Sequence, residues 1–405
     1  MNPILEIRSL KEQVFNPKLL YKEYCVENFA GAVIRWGQRV SYQDRIKEIQ
    51  RGFAARGIQA PSLDMDLGVK QLYVNRLPQL EAETQGIQIV ASAMQRTMDR
   101  LGWEPDSVEG IFVGSSLVPL NGSTYPQVFA DELGLRNAKQ FYVNAACTSG
   151  GLALFEALSQ KEMRNKRVLV GATEVMLRRA MRYDPTVMDE GSGLIFSQGA
   201  VVMGIVPGQT ISLKGDYIFF EKPDSRSLLA AQTNYQTTPF KEGSIVEKSE
   251  NGIRVQLPIP QDGRFISMSN RVGGLFGPGA KETVERTKQS MSIHEWNNIV
   301  AMLMHFPNKL IGAHLIEMML KYELMPERIL AGMDKDQALQ VLKEKGLPAL
   351  PLYIYPKENL YGNAPAANAL IALIESWSQL KGIGDILMVV FGAGATYAGG
   401  KIAIK

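Results

Sequence analysis

The run Phe141-Tyr-Val-Asn-Ala-Ala-Cys-Thr-Ser-Gly-Gly151 decides how the rest of the chain is read. A β-like stretch ends in small residues, a cysteine follows, and glycines open a segment of good helix formers, Leu152–Leu158. A residue at such a strand-to-helix junction sits at the helix N-terminus. Unpaired N–H groups and partial positive charge there favour an anion such as a thiolate. The small neighbours let a substrate approach the backbone closely. Taken alone, Cys147 fits a small buried hydrophobe about equally well.

Working outward, apolar strand patterns alternate with helical periods. An amphipathic segment covers Leu80–Leu101, with Ile87, Val90, Ala93 and Met94 on one helical face. It leads into strand Val108–Gly114, a Gly/Ser/Pro-rich loop Ser115–Pro126 and helix Gln127–Leu133. After the cysteine turn come strands Arg167–Gly171 and Gly193–Val206. The second half repeats the order: strand Asn298–His305, helix Asn308–Leu320, turn Leu360–Asn363, helix Ala364–Leu380, and strands Asp385–Phe391 and Ala398–Ile404. With an offset of 219 residues, Asn144-Ala145 falls on Asn363-Ala364, Ala153-Leu154 on Ala372-Leu373, and Glu156 on Glu375. Matching order in both halves favours an internal duplication of an α/β unit. The expected organisation is an N-terminal extension at 1–30, a first half at 31–206 carrying the cysteine, a polar insertion or cap at 207–262, and a second half at 263–405 with an insertion near 326–356.

Composition narrows the chemistry. The 405 residues hold two cysteines and three histidines, with 44 Lys+Arg against 41 Asp+Glu. Cys25 and Cys147 cannot make a disulfide framework or a Cys-rich zinc module. His294, His305 and His314 lack the spacing of a histidine metal site, so no metal is expected. A net charge of +3 gives no reason to expect nucleic acid, and the apolar runs are well short of the roughly 20 residues of a membrane span. Glu6, Arg8 and Lys11 stand where a signal peptide needs an apolar stretch, so a cytoplasmic protein is expected.

That scarcity leaves few candidates. His305 ends the apolar strand Ile299–Met304, at the edge where open α/β sheets bind ligands; a satisfied structural histidine is the bland reading. Asn363, in Gly362-Asn-Ala-Pro-Ala-Ala367, lies at another strand-to-helix turn, where an ordinary N-cap is the alternative. His294 and His314 have bland settings.

Asn144–Gly151, His305-Phe-Pro-Asn308, Gly362–Ala367 and Phe391-Gly-Ala-Gly394 stand in the order seen in thiolase-fold condensing enzymes. So do Leu169-Val-Gly-Ala-Thr-Glu174, Asp184-Pro-Thr186 and Phe196-Ser-Gln-Gly-Ala200. Over about residues 31–405 the chain is most similar to β-ketoacyl-ACP synthase III and its secondary-metabolism relatives. The resemblance implies a thiolase fold, two duplicated α/β halves in a five-layer αβαβα arrangement, and a homodimer. It implies a catalytic Cys147, His305 and Asn363, and an oxyanion hole from the backbone N–H groups of Cys147 and Ala393. Tyr125, Asn308, Gly392 and Gly394 would contact substrate, although Tyr125 reads about equally well as an aromatic packed under a loop.

The implied reaction is acyl transfer from acyl-CoA or acyl carrier protein to Cys147, then decarboxylative condensation with a malonyl-type thioester, without a metal or redox cofactor. Two alternatives stay open: an acyltransferase delivering the acyl group to a hydroxyl or amine, and a non-catalytic partner subunit. Ala393 departs from a glycine common in the family, and Val187-Met188-Asp189 lacks the arginine many relatives carry near the CoA nucleotide. Basic residues at Lys161, Arg164, Lys166 and Arg167, and at Arg178, Arg179 and Arg182, could receive an acidic carrier protein, but a solvated face is the better reading.

Overall fold

The computed structural model describes residues 19–55, 63, 66–74, 79–116, 125–174, 194–221, 245–250, 253–258, 271–346, 362–392 and 395–405. Along the chain the elements of the first half are β1 (Leu20–Val26), β2 (Phe29–Arg35), β3 (Gln38–Ser41), α1 (Tyr42–Ala55), β4 (Gln71–Val74), α2 (Gln79–Leu101), β5 (Gly110–Gly114), α3 (Tyr125–Leu133), β6 (Lys139–Val143), α4 (Ser149–Ser159), β7 (Val168–Thr173) and β8 (Ala200–Ile205). They are followed by β9 (Ile211–Leu213), β10 (Ile218–Glu221), β11 (Ile245–Glu250), β12 (Ile253–Pro258), α5 (Arg271–Gln289), β13 (Ile299–Met304), α6 (Lys309–Lys321), α7 (Lys335–Lys345), α8 (Asn368–Glu375), β14 (Asp385–Gly392) and β15 (Thr396–Ile404).

Two sheets carry the molecule. The first has the order β1-β2-β8-β7-β5-β6, the second β10-β15-β14-β13 with β9 also on β15. In the first, β5 runs parallel to both β6 and β7, and β7 antiparallel to β8. In the second, β13 is parallel to β14 and β14 antiparallel to β15, so β8-β7-β5 recurs as β15-β14-β13. The helices α4 and α8 start at Ser149 and Asn368, the same 219-residue offset seen in the sequence. The duplicated five-layer architecture is thus the one expected.

Layer assignment follows from helix composition. In α8 every residue from Asn368 to Ile374 is buried, and in α4 so is nearly every residue from Ser149 to Ala157. A helix apolar all round has no face for water. Both lie between the sheets: α4 packs on β5, β6, β7, β14 and β15, and α8 on α4, β2, β8 and β13. The amphipathic α2 covers the outside of the first sheet, and α5 with α6 covers the second. None of the described helices is long and apolar enough to cross a membrane.

Two boundaries move. Residues 20–30 belong to the first sheet: β1 and β2 form a hairpin turning at Asn28 (φ 62°), and β2 pairs with β8. The half-exposed edge strand, with Lys22 and Glu23 in it, carries too little apolar signal to stand out from an extension. Similarly, β9 and β10 fall inside the expected cap at 207–262, yet both pair with β15. At three and four residues they are too short to show a period.

Candidate functional site

The turn that bears Cys147 is held from three sides. Ala146, immediately before Cys147, adopts φ 51°, a left-handed conformation that costs a non-glycine residue roughly 1–3 kcal/mol. The Ser149 hydroxyl accepts from the Ala145 N–H at 2.7 Å and lies 2.6 Å from the Ala146 carbonyl and 2.9 Å from that of Ser115. Asn144 donates to the same Ser115 carbonyl at 3.0 Å. From the second half, the Thr396 hydroxyl donates to the Ala145 carbonyl at 2.8 Å and meets the Thr148 hydroxyl at 2.8 Å. Cys147 is buried at the foot of α4. A Cβ on Gly392 would come within 3.0 Å of the Cys147 backbone nitrogen, so the end of β14 lies directly against Cys147.

His305 continues the line of β13, and its N–H donates to the Val389 carbonyl of β14 at 3.0 Å. Its ring stands edge-on to Phe391, 5.4 Å between centroids. The side chain is fully buried, and neither ring nitrogen has a hydrogen-bond partner among the described residues. Burial pushes its pKa down to about 3, so at neutral pH the ring is uncharged and offers one N–H donor and one acceptor. A buried ring nitrogen left without any partner costs roughly 1–3 kcal/mol or more.

Asn363 is not a helix N-cap; the cap position of α8 is Ala367. Its backbone forms a bridge with Phe196, donating to the Ile195 carbonyl at 2.7 Å and accepting from Ser197 N–H at 2.8 Å. Gly362 precedes it at φ 77°, and a Cβ there would meet Leu72 at 2.5 Å. The Asn368 amide donates to Asn363 Oδ1 at 2.7 Å and to the Phe306 carbonyl at 3.3 Å, while Asn368 Oδ1 accepts from Ala364 N–H at 3.2 Å. Asn368 therefore engages the oxygen of Asn363, which leaves the NH₂ as the side-chain donor, and it ties the asparagine turn to the residue after His305. Sequence reasoning missed Asn368, whose only visible signal is a polar residue opening an otherwise apolar helix.

The three turns thus meet through shared neighbours: Cys147 against Gly392, Phe391 against His305, and Phe306 through Asn368 to Asn363. The remaining expected site residues fare unevenly. Asn308 spends its side-chain oxygen on the Ile311 N–H at 3.0 Å, capping α6. Tyr125 opens α3, buried and stacked on Phe129 at 5.7 Å, with Tyr142 edge-on at 6.2 Å, so within one chain it packs as a core aromatic. Ala393 and Gly394 lie outside the described residues, as do Asp184-Pro-Thr186 and Arg178, Arg179 and Arg182. The other basic cluster precedes the N-terminal end of β7, the far end of the sheet from Cys147; there Lys166 pairs with Glu109 at 2.5 Å and Arg167 lies over Trp103.

No protein-family model matches the chain. Over 352 residues it is 23% identical to a β-ketoacyl-[acyl-carrier-protein] synthase III of Clostridium perfringens strain SM101, and 25% to that of strain 13; each match covers 83% of this chain and 88% of the relative. Among solved structures, 1,3,6,8-tetrahydroxynaphthalene synthase from Streptomyces coelicolor A3(2), a type III polyketide synthase, is similar with TM-score 0.63 and 16% identity, covering 93% of this chain and 98% of that one. The priming β-ketosynthase of the R1128 polyketide pathway matches with TM-score 0.57 and 19% identity over 92% and 94%. The chain has the thiolase fold common to these condensing enzymes.

Proposed function

We propose that this thiolase-fold chain is a β-ketoacyl synthase III-like condensing enzyme, with Cys147 as the acyl carrier. The observation that carries the reading is the pair of donors beside the Cys147 turn: a buried, uncharged His305 whose ring has no partner among the described residues, and an Asn363 whose oxygen accepts from Asn368. In the first half-reaction the Cys147 thiolate attacks an acyl thioester of CoA or of a carrier protein. The tetrahedral oxyanion is stabilised by backbone N–H groups of Cys147 and Ala393, and the departing thiol takes up the proton. In the second, a malonyl-type thioester loses CO₂, and the C–C bonding electrons move into an enolate. Its oxygen accepts hydrogen bonds from His305 and Asn363. The enolate carbon attacks the acyl carbonyl and Cys147 leaves, giving a β-ketoacyl thioester. Neither half-reaction calls for a metal or a redox cofactor. A simple transfer to a hydroxyl or amine would give the NH₂ of Asn363 no developing charge to stabilise, which favours condensation. We further propose a homodimer, as the resemblance implies, and a cytoplasmic protein, as the charged N-terminal residues Glu6, Arg8 and Lys11 suggest.

The test is intact-mass analysis after incubation with a panel of acyl-CoAs and acyl carrier proteins. An acyl adduct present in the wild type and absent from Cys147→Ala is expected, followed by CO₂ release when a malonyl thioester is added. No adduct with any donor would sink the reading. Asn368→Ala removes one neutral hydrogen bond from the Asn363 amide and frees it to turn. A fall in decarboxylation of about fivefold to tenfold is expected, with acyl loading unchanged. CO₂ release equal to wild type would show that the orientation of the amide does not matter.

A further inference from the structure

Glu174 is a buried carboxyl that the reaction above does not use. It follows the last residue of β7, and its N–H donates to the Gly199 carbonyl at 2.9 Å, which fixes its backbone beside the first sheet. The residue is 1% exposed. One carboxyl oxygen accepts from the Ser116 hydroxyl at 2.5 Å and the other from the Ala366 N–H at 2.5 Å. These donors lead to different reacting groups. Ser116 follows Ser115, whose carbonyl receives Asn144 and Ser149 of the nucleophile turn. Ala366 lies three residues after Asn363, in the turn Ala364–Ala367 that opens α8, and its carbonyl faces Gly150 of α4.

We propose that Glu174 is a positioning residue, docking the turn that bears Asn363 onto the half of the molecule that bears Cys147. The Ser116 arm stays within one half, joined to a strand end beside β7 in the same sheet. The Ala366 arm crosses between halves, from the C-terminal end of β7 to the turn at Ala364–Ala367, whose Asn363 end is already bridged to Ile195 and Ser197. Loss of the carboxyl releases the Ala366 end of that turn and leaves Asn363 to its backbone bridge and to Asn368, so the Asn363 amide is expected to loosen while the Cys147 turn, with its own bonds to Ser115 and Thr396, stays in place. Burial raises the Glu174 pKa to about 7 against three hydrogen bonds that lower it. Keeping a carboxyl in so unfavourable a setting is a cost that an apolar side chain would avoid.

The inference rests on the proposed condensation for its kinetic consequence and is tested with a second readout that does not. Glu174→Leu removes every hydrogen bond the carboxyl accepts, from Ser116 and from Ala366. Glu174→Asp keeps the carboxyl but is one methylene short of spanning Ser116 and Ala366. Glu174→Gln keeps an oxygen for the Ala366 N–H and an NH₂ for the Ser116 hydroxyl. For Leu and Asp, CO₂ release is expected to fall about 10²-fold, the scale of an ångström-sized misplacement, while acyl loading of Cys147 stays within about threefold. Gln is expected to recover the loss to within about tenfold. In parallel, hydrogen exchange should show faster exchange in the Ala364–Asn368 segment of Glu174→Asp, with Ala145–Phe155 unchanged. Equal losses in both half-reactions, or unchanged exchange at Ala364–Asn368, would overturn the proposal. Faster exchange there in a protein whose wild type never releases CO₂ would leave the docking role standing and remove the condensation reading instead.

Discussion

With His305→Phe, CO₂ release from a malonyl thioester is expected to drop about 10²–10³-fold, the usual consequence of removing one donor from a developing oxyanion. Acyl loading of Cys147 should stay within about threefold, because that step draws on the backbone N–H groups. The same substitution is expected to stabilise the fold by about 1 kcal/mol. His305 is fully buried with neither ring nitrogen partnered among the described residues, and a phenyl ring brings no polar atom needing a partner. Phe391 already lies edge-on to this ring, so an aromatic replacement keeps the contact. Urea midpoints at constant m-value and timed CO₂ release measure the two halves of the prediction. A gain in stability with loss of one half-reaction is the signature of a group retained for chemistry. If the variant is less stable and loads acyl groups poorly as well, His305 is a packing residue and the enolate assignment fails.

The chemistry of this site was more legible in the sequence than its geometry. Cys147 could be singled out because a strand running into small residues and glycines leaves few shapes for the backbone, and Ala146 at φ 51° is the strained corner that pattern requires. The 219-residue offset was readable because α4 and α8 must both be apolar all round to sit between two sheets. Asn368 is not singled out in the sequence, and Glu174 stands there only as the end of a motif without a role, because each acts through partners set by the fold: Phe306 lies 62 residues from Asn368, and Ala366 lies 192 from Glu174. No periodicity carries that information. Asn308 is ambiguous in sequence for a related reason, since an asparagine after a site histidine and one capping a helix have the same sequence setting, and here its oxygen caps α6. The edge strands β1, β9 and β10 failed as signals because half-exposed or three-residue strands have no apolar period, although β1 adds a full antiparallel partner to the first sheet.

Gly150→Ala is expected to be among the most damaging single methyl additions in the middle layer. A Cβ at this position would stand 2.1 Å from the Ala366 carbonyl oxygen and 2.8 Å from the Ala172 Cβ. Neither is the end of a flexible side chain, so α4 and the turn at Ala364–Ala367 must separate by roughly an ångström to reach ordinary contact. Overpacking of this kind costs about 1–3 kcal/mol, of which the better helix propensity of alanine returns at most about 1 kcal/mol. The displaced turn carries Asn363, so CO₂ release should fall about 10²-fold beyond what the stability loss alone produces at low temperature. Gly151→Ala supplies the contrast. Its Cβ would meet the Val390 methyl groups at 2.7 and 2.8 Å, which are side-chain atoms on β14 and do not belong to the Asn363 turn. A comparable loss of stability is therefore expected at Gly151 with a much smaller loss of decarboxylation. If both variants lose activity only in proportion to their urea midpoints, the Ala364–Ala367 turn is not what sets the position of Asn363, and the separation of half-reactions argued for Glu174 loses its structural basis as well.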